Sequence, residues 1–144
     1  MKNKPSKDSL AVALDAVNDR WSLHIVRALA FGASRYTEIL RSVGAPRDVL
    51  SARLKKLAET GIIQARSSES GVAGYELTQK GNDLGQVILV LKRWGDLYKP
   101  DDVSQVDFTH TACGNAFVAD VRCEACGSSV KSGELAVRST EHEG

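Results

Sequence analysis

The chain has 144 residues, which fits one domain with an appendage, and its 42% hydrophobic content can fill a core. The formal net charge is +1. The opening MKNKPSKDSL has no apolar run for a secretion signal, and no stretch approaches the roughly 20 apolar residues of a membrane span. A cytoplasmic protein without a membrane partner is expected.

The elements read as mostly helical. Asp8 or Ser9 is placed to cap a first helix running to about Val17, with Leu10, Ala13, Leu14 and Val17 apolar. Asp19 is placed to cap a second, Arg20 to Phe31, with Trp21, Ile25 and Leu29 inward and Gly32 as its stop. A short third helix begins near Tyr36, carries Ile39 and Leu40 on its buried stripe, and breaks at Gly44-Ala45-Pro46. The fourth starts at Arg47, where Leu50, Leu54 and Leu57 recur at helical spacing, and Thr60-Gly61 closes it. Ile62-Ile63 opens a strand and Tyr75 to Leu77 returns it. Thr78 caps a long helix, Gln79 to Tyr98, ended by Pro100. The predicted fold is mainly α with a small β-wing: a winged helix-turn-helix, a long helix and a short C-terminal extension. Residues 8–100 form the main domain, 101–137 the extension and 138–144 a disordered tail.

With its leucines inward, the fourth helix turns Arg47, Ser51 and Lys55 outward on one stripe. For a lone amphipathic helix such a stripe is ordinarily a solvated face. The distribution of charge favours another use. Arg35 to Arg66 holds seven basic residues against three acids, a net +4, while Asp101 to Gly144 holds three against eight, a net −5. Nucleic-acid affinity follows local charge, because each phosphate neutralised releases condensed counterions. A basic helix on a helical scaffold beside a hairpin suits the major groove of double-stranded DNA. Arg53 and Lys56 flank the stripe, Arg35 and Arg66 are placed to hold phosphates, and Tyr36 completes the DNA-facing set.

On the long helix, Leu84, Val87, Ile88, Leu91, Trp94 and Tyr98 form an apolar stripe longer than a small winged helix covers. A helix of about 20 residues spans roughly 30 Å. A two-fold homodimer is expected, with Leu84, Val87, Ile88, Leu91 and Trp94 in the interface.

The stretches AVALDAVNDRWSLHIVRALAFG, RYTEILRSVGAPRDVLSARLKKLAETGII, YELTQKG and the helix ending RWGDLYKP cover about Asp8 to Pro100. In order and spacing this run resembles the HxlR-type family of bacterial winged-helix transcriptional regulators, relatives of the MarR group. The resemblance implies a dimeric, cytosolic regulator on a roughly palindromic operator, with Arg47 to Thr60 as recognition helix and Ser67 to Gly74 as wing tip. Two departures matter. Where many members carry a cysteine near the start of the first helix, this chain has Asp8, so sensing through that position does not carry over. The wing SSESGVAG holds one charge, Glu69, leaving Arg66 at its base as the phosphate contact there.

All three cysteines lie beyond Pro100, in HTACG at His110 to Gly114 and CEACG at Cys123 to Gly127. The spacing H-x2-C-x9-C-x2-C brings His110, Cys113, Cys123 and Cys126 forward as ligands of a structural zinc ion. Gly114 and Gly127 suit the left-handed turn of such knuckles. A redox pair, Cys123 with Cys126 or a bridge to Cys113, and plainly reduced thiols in a small hairpin stay open beside zinc. An enzyme is not expected: the chain shows no Gly-rich phosphate loop and no nucleophile elbow. The alternative to a DNA-binding regulator is a thiol-redox or metal-responsive module acting through the Cys/His cluster. The residues name no effector.

Overall fold

A computed structural model describes residues 8–138. Its helices are α1 (Ser9–Ala16), α2 (Ser22–Ala30), α3 (Tyr36–Val43) and α4 (Arg47–Glu59). The antiparallel hairpin β1 (Ile63–Ser68) and β2 (Gly71–Leu77) follows, then α5 (Gln79–Tyr98) and a 3-10 turn at Ser132–Glu134. Five helices and one two-stranded hairpin are the expected winged helix-turn-helix. Of the tail expected at 138–144, residues 139–144 lie outside the described residues.

The chain divides into two compact units, one ending at Leu89 and the other starting at Val90. In the first, Ile25, Val26 and Leu29 of α2, Ile39 of α3, Leu50, Leu54 and Leu57 of α4, and Ile62 and Ile63 form one core. Leu84 and Ile88 pack on it half-buried. The helical period selects these residues, and α4 alone buries three leucines at i, i+4 and i+7.

Helix ends follow local chemistry. Asp8 Oδ1 accepts the Ala11 amide at 2.8 Å and caps α1. Asp19 was expected to cap α2; it accepts the amides of Trp21 and Ser22, each at 2.8 Å, and the Ser22 hydroxyl, while Trp21 takes the N-cap position itself. The helix proper begins at Ser22, two residues later than expected, because those bonds hold Arg20 and Trp21 in the entering turn. Gly44 ends α3 in the left-handed conformation at φ 72°.

The hairpin is longer than the sequence implied. Strand pairing runs out to Ser68 and Gly71, with a bulge between Arg66 and Ser67, so the wing tip shrinks from Ser67–Gly74 to Glu69 and Ser70. The Ser68 hydroxyl donates to the Gly71 carbonyl at 3.2 Å and closes that turn. At the hairpin's base the Thr78 amide and hydroxyl both bond the Ile62 carbonyl, at 3.1 and 3.0 Å. The first turn of α5 lies against the same backbone: a Cβ on Gly81 would sit 2.2 Å from the Ile62 oxygen.

The sequence put the boundary of the extension at Pro100, whereas the second unit also takes the last turns of α5. Two contacts tie those turns in: Arg93 Nη1 donates to the Ala119 carbonyl, and Lys92 Nζ lies 5.1 Å from the Phe108 ring centroid.

Candidate nucleic-acid interface

Helix α4 is fixed on one face and open on the other. Leu50, Leu54 and Leu57 are buried while Arg47, Ser51 and Lys55 are exposed. The stripe is anchored from α3. Tyr36 Oη donates to the Arg47 carbonyl at 2.9 Å, and Ser51 Oγ lies 3.2 Å from the phenol oxygen. The phenol has one proton, so the Ser51 hydroxyl donates to it. Tyr36 thus holds the start of α4, and its hydroxyl is committed to that task. Among the described residues, no hydrogen bond or ion pair engages the side chains of Arg47 and Lys55; Asp48 is the acid of that first turn.

Two flanking cations are placed differently from the expectation. Arg53 Nη1 lies 3.6 Å from Asp19 Oδ2, and its Nε is buried with no hydrogen-bond partner. A guanidinium held in that way ties α4 to the turn that enters α2. Burial raises the Asp19 carboxyl, but the Ser22 hydroxyl, the Trp21 and Ser22 amides and Arg53 outweigh it and hold it below its ordinary range. Lys56 Nζ reaches the Asp15 carbonyl and Asn18 Oδ1, each at 3.4 Å, and so leans toward the α1–α2 connection. The sequence pattern could not separate these two from Lys55, because the chain's spacing does not reveal Asp19.

Arg35 sits at the start of α3, where Glu38 accepts the amides of Ser34 at 2.9 Å and Arg35 at 3.0 Å. Those amides keep the exposed Glu38 carboxyl below its usual value. Arg66 stands at the base of the wing, its Nε 3.6 Å from Glu76 and its Nη1 donating to Ser34 Oγ at 3.3 Å.

Ser34 was missed by sequence reasoning, and it joins the wing to the helices. Its carbonyl accepts the Tyr75 amide at 2.8 Å, and its hydroxyl lies 3.3 Å from the Tyr75 carbonyl. A Cβ on Gly74 would stand 2.5 Å from the Ser34 oxygen, and Gly74 holds φ 153°. A glycine inside a strand marks a close backbone approach, and that was the available signal.

The expected interface residues also separate. Leu84 and Ile88 face the core of their own unit and leave the uncovered stripe. At about 100° per residue Leu91 lies only about 20° around α5 from Leu84, two turns further along, while Val87 and Trp94 lie some 60–80° away. The set that stays exposed is Val87, Leu91, Trp94 and Tyr98, with Val90 and Leu97 beside it, and Trp94 is 63% exposed. Helix α1 buries none of its residues, and Leu10, Val12 and Leu14 are each more than half exposed.

In the extension, His110 Nδ1 lies 3.5 Å from Cys113 Sγ. The amide and hydroxyl of Ser128, then the Cys123 thiol, hold the Cys126 thiol below the ordinary thiol value. All three cysteines are free thiols. Among the described residues, no three His, Cys, Asp or Glu side chains are grouped to hold a metal. No described helix is long and apolar enough to cross a membrane.

Comparison with known proteins agrees with this architecture. Residues 16–103 match the model of the HxlR-like helix-turn-helix family. HTH-type transcriptional regulators of Mycobacterium bovis and Mycobacterium tuberculosis are each 36% identical over 126 residues, 85% of this chain and 80% of theirs. The crystal structure of PA1607, a protein put forward as a transcription factor, superposes with a TM-score of 0.81 at 31% identity. It covers 96% of this chain and 99% of its own, which takes in the extension. The reduced form of the transcriptional regulator YodB from Bacillus subtilis matches at a TM-score of 0.56 and 25% identity, over 65% of this chain and 95% of its own. Fold and relatives alike are those of transcriptional regulators, which are not enzymes, and the chain belongs to the HxlR-like helix-turn-helix family.

Proposed function

We propose that this regulator is a cytoplasmic homodimer that reads a two-fold operator in double-stranded DNA, with α4 of each protomer in the major groove. The observation that carries the reading is the exposed Arg47–Ser51–Lys55 stripe on a helix fixed from behind, with both cations unpaired among the described residues. Arg47, in the first turn, is at the end of a recognition helix that meets base edges, and Arg fits a guanine edge with two hydrogen bonds. Lys55 lies two turns on, toward the phosphates. Arg35 and Arg66, just before α3 and at the wing base, add backbone contacts. The uncharged wing tip leaves minor-groove reading without the Arg that its negative potential favours.

The dimer is supported by the apolar faces of α1 and α5. Helix α1 has eight residues and buries none of them. A helix so short is marginal in water and needs a packing partner. A second copy, offering the same faces across a two-fold axis, supplies one. The recognition helices would then stand roughly one DNA turn apart, ~34 Å.

Operator DNA selected by the full chain from random sequence tests this directly. Arg47→Ala should weaken the selected site by about 1–3 kcal/mol and relax preference at one base pair of each half-site. Lys55→Ala should weaken all sequences evenly and lower the salt slope by about one unit per half-site. Unchanged affinity of the Arg47→Ala/Lys55→Ala double variant refutes the assignment.

A further inference from the structure

The extension contains an internal duplication at an offset of 13 residues. The bridge Thr109–Ala116 maps onto Arg122–Ser129. The His110 amide donates to the Asn115 carbonyl at 2.9 Å, as the Cys123 amide does to Ser128 at 2.9 Å. The Gly114 amide reaches the His110 carbonyl at 2.8 Å, and the Gly127 amide reaches Cys123 at 2.7 Å. Phe117 donates to Phe108 at 2.7 Å, Val130 to Val121 at 2.9 Å, and both turn glycines hold φ 73°. Within the turn the two copies share only Ala-Cys-Gly, at 112–114 and 125–127. What the repeat preserves is a pair of side-chain positions, filled by His110 and Cys113 in one hairpin and by Cys123 and Cys126 in the other.

Neither hairpin has an apolar core to justify it. Of the described residues beyond Pro100, Ala119 alone is buried. A segment this short and polar needs a cross-link to hold a fold. The paired positions carry imidazole and thiol, the ligand types zinc prefers. Spacing fits as well: a nitrogen and a sulfur at tetrahedral zinc distances stand about 3.6 Å apart, and His110 Nδ1 and Cys113 Sγ are at 3.5 Å.

We propose that His110, Cys113, Cys123 and Cys126 bind one zinc ion, each hairpin contributing one ligand pair. In the structure the ligands are organised pair by pair, with no group of three among the described residues. An ion shared by both pairs would join one hairpin to the other, and metal loss should then loosen the extension while leaving the core of the winged helix intact.

The test uses the full chain purified without oxygen. Metal analysis should return about one zinc per chain, and its three thiols should resist a thiol reagent until a chelator is added. Cobalt taken up in place of zinc should show tetrahedral, thiolate-ligated absorption. Cys113→Ser and Cys126→Ser should each lower metal affinity at least tenfold, His110→Ala likewise, and His110→Cys should restore it. Helical circular dichroism, read alongside, shows whether a variant has failed to fold, and cobalt titration of the wild-type chain decides the matter without any variant. A chain that takes up neither zinc nor cobalt and has all three thiols reactive overturns the proposal. So does a chain with two thiols missing until reductant is added, which marks Cys123 and Cys126 as a disulfide-forming pair, and so does full metal affinity in His110→Ala.

Discussion

Gly81 and Gly85 lie one turn apart in α5, and the structure assigns opposite signs to their replacement by alanine. Helix propensity alone favours alanine at both, by about 1 kcal/mol. At Gly85 nothing lies within 4 Å of the added Cβ, so Gly85→Ala should stabilise by up to ~1 kcal/mol. At Gly81 the Cβ would stand 2.2 Å from the Ile62 carbonyl oxygen and 3.0 Å from Leu77 Cδ2. Relief requires α5 to move off the base of the hairpin. That motion strains the two bonds from Thr78 to the same oxygen, at 3.1 and 3.0 Å. Each is worth about 1 kcal/mol, and overpacking a fitted site costs roughly 1–3 kcal/mol more. With the propensity gain subtracted, Gly81→Ala should destabilise by about 2–4 kcal/mol. At a urea slope of ~1 kcal/mol per molar, the midpoint should fall by roughly 2–4 M. Urea unfolding of the two variants beside the parent chain, followed by circular dichroism, reads both effects. If Gly81→Ala matches or exceeds the parent in stability, the close packing of α5 on Ile62 is wrong.

Tyr36→Phe removes the hydroxyl that holds Arg47 and Ser51; operator affinity should fall about two- to tenfold with stability changed by ~0.5–1.5 kcal/mol, measured by fluorescence anisotropy and urea unfolding. The depressed Asp19 carboxyl adds stability that is fully present above its unfolded value of ~3.9 and is lost as pH falls through the lower folded value. Asp19→Asn should therefore flatten the loss of stability below about pH 4, and an unflattened acid limb counts against the hydrogen bonds from Ser22 and Trp21 as the hold on this carboxylate. Leu91→Asp places a charge on the exposed apolar face of α5 and should give monomer or aggregate in sedimentation equilibrium. A variant that remains a clean dimer would remove Leu91 from the interface.

Periodicity and punctuation were legible in the sequence. The leucines of α4, the Asp8 cap, the Gly44 stop and both ends of α5 all stand where chain-local physics put them. What stayed hidden depends on residues far apart in sequence. Arg53 meets Asp19 across 34 positions, and Gly74 meets Ser34 across 40. The apolar run on α5 did not show how far along the helix the chain's own core reaches, so Leu84 and Ile88, which pack on that core, were grouped with Leu91 and Trp94, which stay exposed. In the extension the ligand spacing was plain, whereas the duplicated hairpin was not. Its two copies share backbone hydrogen bonds and turn glycines, with few side chains in common.

The fate of Arg53 and Lys56 also bears on how DNA is held. The net +4 between Arg35 and Arg66 counts seven cations as if all were available. Arg53 is taken up by Asp19, Lys56 leans toward Asp15 and Asn18, and Arg66 shares its charge with Glu76. On α4 itself Arg47 and Lys55 remain, and a protomer with so few phosphate contacts gains little counterion release at physiological salt. Two protomers joined by a dimer interface convert the second half-site contact into an intramolecular step, which raises affinity with no new cation. The charge distribution therefore favours a dimer on grounds independent of the apolar face of α5. A monomeric Leu91→Asp variant should lose operator binding far more steeply than its unchanged recognition helix alone would imply.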